Sequence, residues 1–269
     1  MTTRILVYTC VFGGYDRVYP PVHRDPAIDY VLVTDDPAMS VAGWRTLAVD
    51  RERFGSEKAP NRHFKMLAHR NGLAGYDVSV YVDGNIRVIG RTAELVSGFL
   101  ASGCAFGSYR HPVRSTVAEE RDRCLANGKL RDAAKIDAEL DAYRLEGFDD
   151  TQGLMETGVV LKNHAHPALE PAMDLWWAQF DRYDSRDQIA LPFVLWKLDL
   201  PTYWIEPSFR RPNPYFGIYP HLAADGGRNA YAHLAARSFD SAFHASLLRA
   251  WNWKWAVQRA FRRRAGHAG

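Results

Sequence analysis

Tyr81-Val82-Asp83-Gly84-Asn85 puts a carboxylate, a glycine and an amide oxygen in succession at the end of the apolar run Val78 to Val82. Oxygen donors at the end of a buried strand suit Mg²⁺ or Mn²⁺, hard ions commonly shared with substrate phosphates. A glycine beside them lets a diphosphate approach the backbone. The same residues are good turn formers, and spacing alone leaves both readings open. Arg62 and Lys65 sit one helical turn apart, as a phosphate clamp requires, although a solvated helix face has the same spacing. Glu156-Thr157-Gly158 puts a glycine inside a strand pattern, which marks either close ligand approach or a bulge. Asp187-Gln188 opens a helix pattern after Arg186, where the positive end of the helix favours an anion or a developing negative charge. His111 and Arg114 follow a strand end and suit a hydroxyl or a carboxylate.

These residues need a scaffold that gathers strand ends. Arg4 to Phe12, Asp29 to Thr34, Trp44 to Val49, Val78 to Val82, Cys104 to Tyr109 and Leu154 to Leu161 read as strands. The first is nearly continuous in β-branched, aromatic and other apolar residues, as in a strand buried on both faces. Asn61 to Asn71, Thr92 to Leu100, Pro167 to Phe180 and the segment after Asp184-Ser185 read as helices, with Asp184-Ser185 as N-cap and Pro192 as a kink or true start. Ile86 to Ile89 reads as extended, and residues 201–227 as loops. The alternation predicts an α/β fold with a mostly parallel twisted sheet flanked by helices. Ligands bind such sheets beyond the carboxyl ends of the strands. In residues 117–146, fourteen of thirty are charged with both signs interleaved, and Asn127-Gly128 divides them. This predicts a helical hairpin inserted at the surface.

The 269 residues are 47% hydrophobic and 24% charged, which excludes disordered, collagenous and disulfide-scaffold classes. One large domain over 1–244 and a basic, Trp-rich C-terminal helix over 245–269 account for the chain. Three widely spaced cysteines make no zinc pattern and fit a reducing compartment. With no apolar run long enough to span a bilayer and no leader-like start, the expectation is cytoplasmic. The tail holds Arg249, Lys254, Arg259, Arg262, Arg263 and Arg264 and no acid; without those six cations the net charge of +3 becomes −3. An acidic body argues against a nucleic-acid protein. Leu247, Leu248, Trp251 and Trp255 can share a helical face, which suits an anionic membrane surface or packing on the body. Walker, Gly-x-Gly-x-x-Gly, Gly-x-Ser-x-Gly and His-Glu-x-x-His motifs are absent.

The ordered series YTCVFGGYD, VLVTDD, YVDGN, HPVR with a charged helical stretch, GLMETGVVLKNHAHP, WW and RDQ over residues 4–200 resembles one family. It is the glycosyltransferase-like family that includes plant alkaline-ceramidase-related and mucilage-related proteins, with many bacterial members. That family is similar to retaining glycosyltransferases of GT-A fold, of the glycogenin and lipopolysaccharide-galactosyltransferase kind. The resemblance implies transfer of a hexose-type sugar from a nucleoside diphosphate, with uridine diphosphate as carrier, to a glycan or lipid-linked acceptor. It places Mn²⁺ or Mg²⁺ on Asp83 and Asn85, with His221, or His233 in reserve, completing the set. Asn85 departs from the usual second acid. It places Thr9, Tyr15 and Asp35 at the nucleoside, Arg62, Lys65, Asp83 and Gly84 at the donor diphosphate, and Glu156, Thr157 and Gly158 at the acceptor with His111 and Arg114. Asp187 and Gln188 fall beside the anomeric carbon. Retention leaves the departing phosphate to take the acceptor proton, whereas inversion makes Asp187 the general base. A hydrolase of a ceramide-like amide and a non-catalytic nucleotide- or sugar-binding module stay open as alternatives.

Overall fold

The computed structural model describes residues 3–54, 59–128, 132–184, 186–210, 213–219, 221, 234, 237–239 and 241–265. Its strands are β1 (Ile5–Val11), β2 (Ile28–Thr34), β3 (Arg45–Ala48), β4 (Val78–Asp83), β5 (Ile86–Val88), β6 (Phe106–Arg110), β7 (Met155–Asn163), β8 (Thr202–Ile205) and β9 (Phe216–Ile218). Seven of them form one sheet in the order β3-β2-β1-β4-β7-β6-β8, and β5 pairs with β9 separately. The ladders β1–β2, β1–β4, β2–β3 and β6–β8 are parallel, while β7 runs against both β4 and β6. The mostly parallel α/β sheet expected from the sequence is the one found.

The helices are α1 (Ala59–Leu67), α2 (Thr92–Ala101), α3 (Val117–Ala126), α4 (Ala133–Leu145), α5 (Leu169–Tyr183), α6 (Asp187–Lys197) and α7 (Ala242–Ala265). The period of two along each strand sends alternate side chains to opposite layers. Leu6, Tyr8, Cys10, Val31, Val33, Tyr81 and Val160 join a core with α1, α3, α4, α5 and α6. Val7, Leu32, Val80, Val82, Val159 and Leu161 join a second core with α2 and the β5–β9 pair. Buried Phe64 and Met66 hold α1 on the first layer, each worth roughly 1.5–3 kcal/mol.

Two strands lie where loops were expected. β8 pairs with β6, and β9 with β5. Both are short and flanked by prolines and aromatics, and β8 is half-buried, so neither shows a clean alternation. Ser185 lies outside the described residues, and Asp184 does not cap α6. It closes α5 in the left-handed region at φ 45°, its N–H donating to Phe180 O at 2.8 Å, and Arg186 takes the N-cap position of α6. The charged insertion is more than a wet face. Val117, Cys124, Ile136, Leu140 and Tyr143 turn inward, with Tyr143 stacked on Phe193 of α6 at 3.9 Å.

The chain reversal at β7 decides what lies at the edge. The parallel strands β1, β2, β4 and β6 bring their C-terminal ends there, and β7 brings its beginning. A register shift opposite Ser108 and Tyr109 lets β7 bulge over residues 157–159. Ser108 Oγ fills the bulge and lies 2.8 Å from Glu156 O and 2.7 Å from Val159 O. Such a bulge re-aims the strand, here at Glu156-Thr157-Gly158.

Candidate functional site at the strand edge

At the centre of the edge, α1 and α6 meet over β4. Asp187, in the first turn of α6, is 1% exposed. It accepts hydrogen bonds from Lys65 Nζ and from Thr157 Oγ1 at 3.0 Å, and Arg62 Nε lies 3.3 Å away. Burial alone pushes this carboxyl up. Arg62, Lys65 and Arg186 outweigh it and hold Asp187 well below the usual carboxylate range. Lys65, also 1% exposed, lies 3.9 Å from Asp83 Oδ1 and 5.1 Å from the Tyr81 ring centroid. Tyr81 and Asp83 share one face of β4, so the Tyr81 hydroxyl donates to Asp83 Oδ1 at 2.8 Å. Arg62, Lys65, Asp83, Thr157 and Asp187, from four elements, thus form one network. Gln188 joins its rim, donating from Nε2 to Met155 O at 2.7 Å.

The C-terminal end of α1 is fixed from below. Tyr8 donates to Phe64 O at 3.0 Å, and Lys162 donates to Lys65 O at 2.6 Å and to Tyr8 Oη at 2.7 Å. These bonds satisfy carbonyls that a helix end leaves open. Lys162 is fully buried, and burial brings its ammonium down to about 7.

Gly84 and Gly158 are required by the protein's own packing. A Cβ at Gly84 would fall 2.5 Å from Val11 Cγ2 and 3.1 Å from Asp16 Cβ, so that space is filled from within rather than left to a diphosphate. A Cβ at Gly158 would meet Phe209 Cζ at 2.9 Å and Asp83 Oδ2 at 3.1 Å.

The expected cation ligands do not converge. Asn85 is buried and donates its amide N–H to Tyr219 O at 2.8 Å, while Tyr219 N–H returns a bond to Asn85 O at 2.7 Å. His221 pairs through Nδ1 with buried Asp16 at 2.9 Å, beside the Tyr15 ring. Asp83 faces Lys65 and the β7 bulge instead. Among the described residues no group of three His, Cys, Asp or Glu could hold a metal ion, and His233 lies outside them. The residues as arranged do not fit a built cation centre.

The other expected residues divide. Asp35 ends up at the edge, accepting from Gly13 N–H at 2.9 Å and lying 3.3 Å from Arg51 Nε, and Tyr15 is exposed. Thr9 is buried. It sits between Leu32 and Val82 inside the sheet, 1% exposed, its hydroxyl without a partner among the described residues. Glu156 is buried and carries Ser208 Oγ on one oxygen and Arg210 Nε on the other. Burial pushes its carboxyl up despite Arg210. His111 and Arg114 turn away from open solvent. Arg114 Nε donates to Glu120 at 2.6 Å, and its backbone N–H donates to His111 Nδ1 at 2.8 Å. Burial, then the Arg114 charge, brings His111 down to about 4, so it is neutral at pH 7. Glu120, reaching in from α3 and 2% exposed, also lies 3.6 Å from Arg186 Nε and accepts from the Cys124 thiol at 3.1 Å.

Sequence reading missed Asp16, Glu120, Ser208 and Arg210. Their partners are distant in sequence or masked by neighbouring charges. Asp16 alone carried a local signal, an acid in the Gly13-Gly14-Tyr15-Asp16 stretch that follows the first strand.

The fold and this edge define an α/β protein with a dense cluster of compensated charges where ligands of such sheets bind. Residues 27–210 match the family model described as TOD1/MUCI70, glycosyltransferase-like domain. That span exceeds half of the chain, and the protein belongs to the TOD1/MUCI70 glycosyltransferase-like family. A curated relative, the probable hexosyltransferase MUCI70 of Arabidopsis thaliana, is 25% identical over 231 residues, covering 76% of this chain and 39% of the relative. The chain thus spans about two fifths of that relative's length. Among solved structures, the galactosyltransferase LgtC with donor and acceptor sugar analogues is similar at 12% identity and a TM-score of 0.43, over 74% of this chain and 72% of that one. Mouse xyloside xylosyltransferase 1 is similar at 11% identity and a TM-score of 0.43, over 76% and 85%.

Proposed function

We propose that this protein is a nucleotide-sugar-dependent glycosyltransferase that moves a hexose-type sugar from a nucleoside diphosphate, uridine diphosphate by preference, to a glycan or lipid-linked hydroxyl with retention. Membership of a glycosyltransferase-like family supports the class. The observation that carries the reading is the pairing of Arg62 and Lys65 on Asp187, beside Asp83, at the edge where α/β sheets take ligands. Two cations fixed in place before substrate arrives stabilise charge developing on a departing diphosphate without reorganising.

In this reading the acceptor oxygen forms a bond to the anomeric carbon as the sugar–phosphate C–O bond breaks. The electron pair leaves with the diphosphate, and its oxygen takes the hydroxyl proton. Asp187 positions Lys65 and Arg62. A carboxylate held so far below its ordinary range by burial-opposing cations is a poor base, which favours retention over inversion. Gln188 lines the reacting face, and Glu156 with Arg210 borders the acceptor side. The two hydroxyl–carboxylate pairs of the edge, Thr157–Asp187 and Ser208–Glu156, have their carboxylates tied to cations, which disfavours a base role in amide hydrolysis.

A thermal-shift series of nucleoside diphosphates and nucleotide sugars, each with and without Mn²⁺, tests the reading. A ligand at about 100 times its Kd stabilises by about 2.7 kcal/mol. A shift for one base, weakened in Arg62→Met, followed by turnover of that donor, is expected. The Mn²⁺ arm decides whether a divalent ion assists. Binding without turnover for any acceptor would leave a binding module instead, and no shift with any nucleotide would overturn the reading.

A further inference from the structure

The strand-edge cluster leaves α7 unexplained. It runs from Ala242 to Ala265, 24 residues, about 36 Å at 1.5 Å per residue. Ser241, His244, Ala245, Leu248 and Asn252 form its half-buried side, at the three-and-four spacing of one helical face. The neighbouring shoulder is apolar and open. Phe243 is 67% exposed, Leu247 42%, Trp251 37% and Trp255 51%, each four residues from the last, and Trp253 is 72% exposed. Residues 241–269 carry six Lys or Arg and no Asp or Glu. The rest of the chain, at −3, would be repelled by an anionic surface that this helix attracts.

We propose that α7 lies flat on the anionic headgroup surface of a lipid bilayer, with its aromatic shoulder at the headgroup–acyl boundary and its cations among the phosphates. Tryptophan favours that boundary, and basic side chains on an amphipathic helix add attraction to anionic lipid. No helix among the described residues is long and apolar enough to cross a membrane, so the contact is peripheral. The exposed aromatics and the acidic body favour lipid over nucleic acid, which would leave the tryptophans unused. The chain entering the helix rests on the β5–β9 pair. Phe239 packs on Gly217 of β9, and the Arg87 guanidinium of β5 stands 6.0 Å from its ring. The β5–β9 pair also carries the Asn85–Tyr219 bonds. Docking through α7 would therefore turn the β5–β9 side of the molecule toward the membrane.

The docking itself is independent of the transferase reading, and the test keeps the two apart. The full chain is sedimented with vesicles of phosphatidylcholine alone and of phosphatidylcholine with phosphatidylglycerol, and its tryptophan emission is recorded. Binding to the anionic vesicles only, a blue shift on binding and release by high salt are expected. Each basic residue near an anionic surface is worth about fivefold in binding, so Arg249→Glu with Lys254→Glu should weaken binding more than tenfold. Phe243→Ser with Trp253→Ser should abolish the blue shift. Both variants should keep the parental thermal midpoint and nucleotide response, which shows that the body is folded and its site intact. Equal binding by variants and parent, no binding to anionic vesicles, equal binding to neutral ones, or displacement by RNA with no change in emission would each overturn the proposal.

Discussion

Asp187 shows how much one side chain can organise. Buried with two cations, it leaves them uncompensated if neutralised. Asp187→Asn is therefore expected to lose about 3–5 kcal/mol of stability, measured by urea unfolding. Lys65→Met with Asp187→Leu should recover only part of that loss, because an apolar pair replaces one ion pair while Arg62 still lacks its counter-charge, and it should remain inactive in transfer. The pH dependence has a definite sign. The folded value lies below the unfolded value of about 3.9, so the stabilisation is fully present above that value and fades as pH falls through it toward the folded one. At Gly158, a methyl would displace Phe209 and Asp83 together. Gly158→Ala should cost about 1–3 kcal/mol and weaken any nucleotide-induced thermal shift. Arg62 and Lys65 were legible in the sequence from their one-turn spacing, and Asp187 from its place at the start of a helix pattern. Asp16, Ser208 and Arg210 were not. Their partners stand 205, 52 and 54 residues away, and no local period encodes such pairings.

Among elements, the insertion is the instructive one. Interleaved charges hid an inner face, because Glu120 counts as one more surface acid until it is seen buried between Arg114 and Arg186. Through Arg186, the residue before Asp187, α3 is coupled to the start of α6. Glu120→Gln is expected to lower the urea midpoint by an amount corresponding to about 3–5 kcal/mol, since two arginines lose their buried counter-charge. It should also lower kcat more than it raises KM if α6 positions the reacting groups, which steady-state kinetics with a fixed donor would show. The buried parallel strands β1, β2 and β4 were legible because they are continuous apolar runs. β8 and β9 were not, because edge and satellite strands of three or four residues carry too few positions to show a period.

At the scale of the whole molecule, fully buried Lys162 anchors α1 to the sheet. Its folded value of about 7 lies below the unfolded value of about 10.4. Between those two values the unfolded chain binds the extra proton, so this group makes global stability rise with pH, by up to about 1.4 kcal/mol per pH unit. Unfolding measured from pH 7 to 10 should show that rise in the parent and lose it in Lys162→Met. The direction of β7 has a broader consequence. β6 leaves the sheet at Arg110 and β7 re-enters it at Met155, both on the ligand edge. The chain between them fastens itself, with the Asp150 carboxylate accepting from Val117 N–H at 2.8 Å and Ala118 N–H at 3.1 Å. The departure and return points are thus neighbours, and lengthening such a closed excursion costs only about 0.6 kcal/mol per doubling. A change in the length of this excursion therefore leaves the register of every strand untouched, provided the inner faces of α3 and α4 keep their seats against α6.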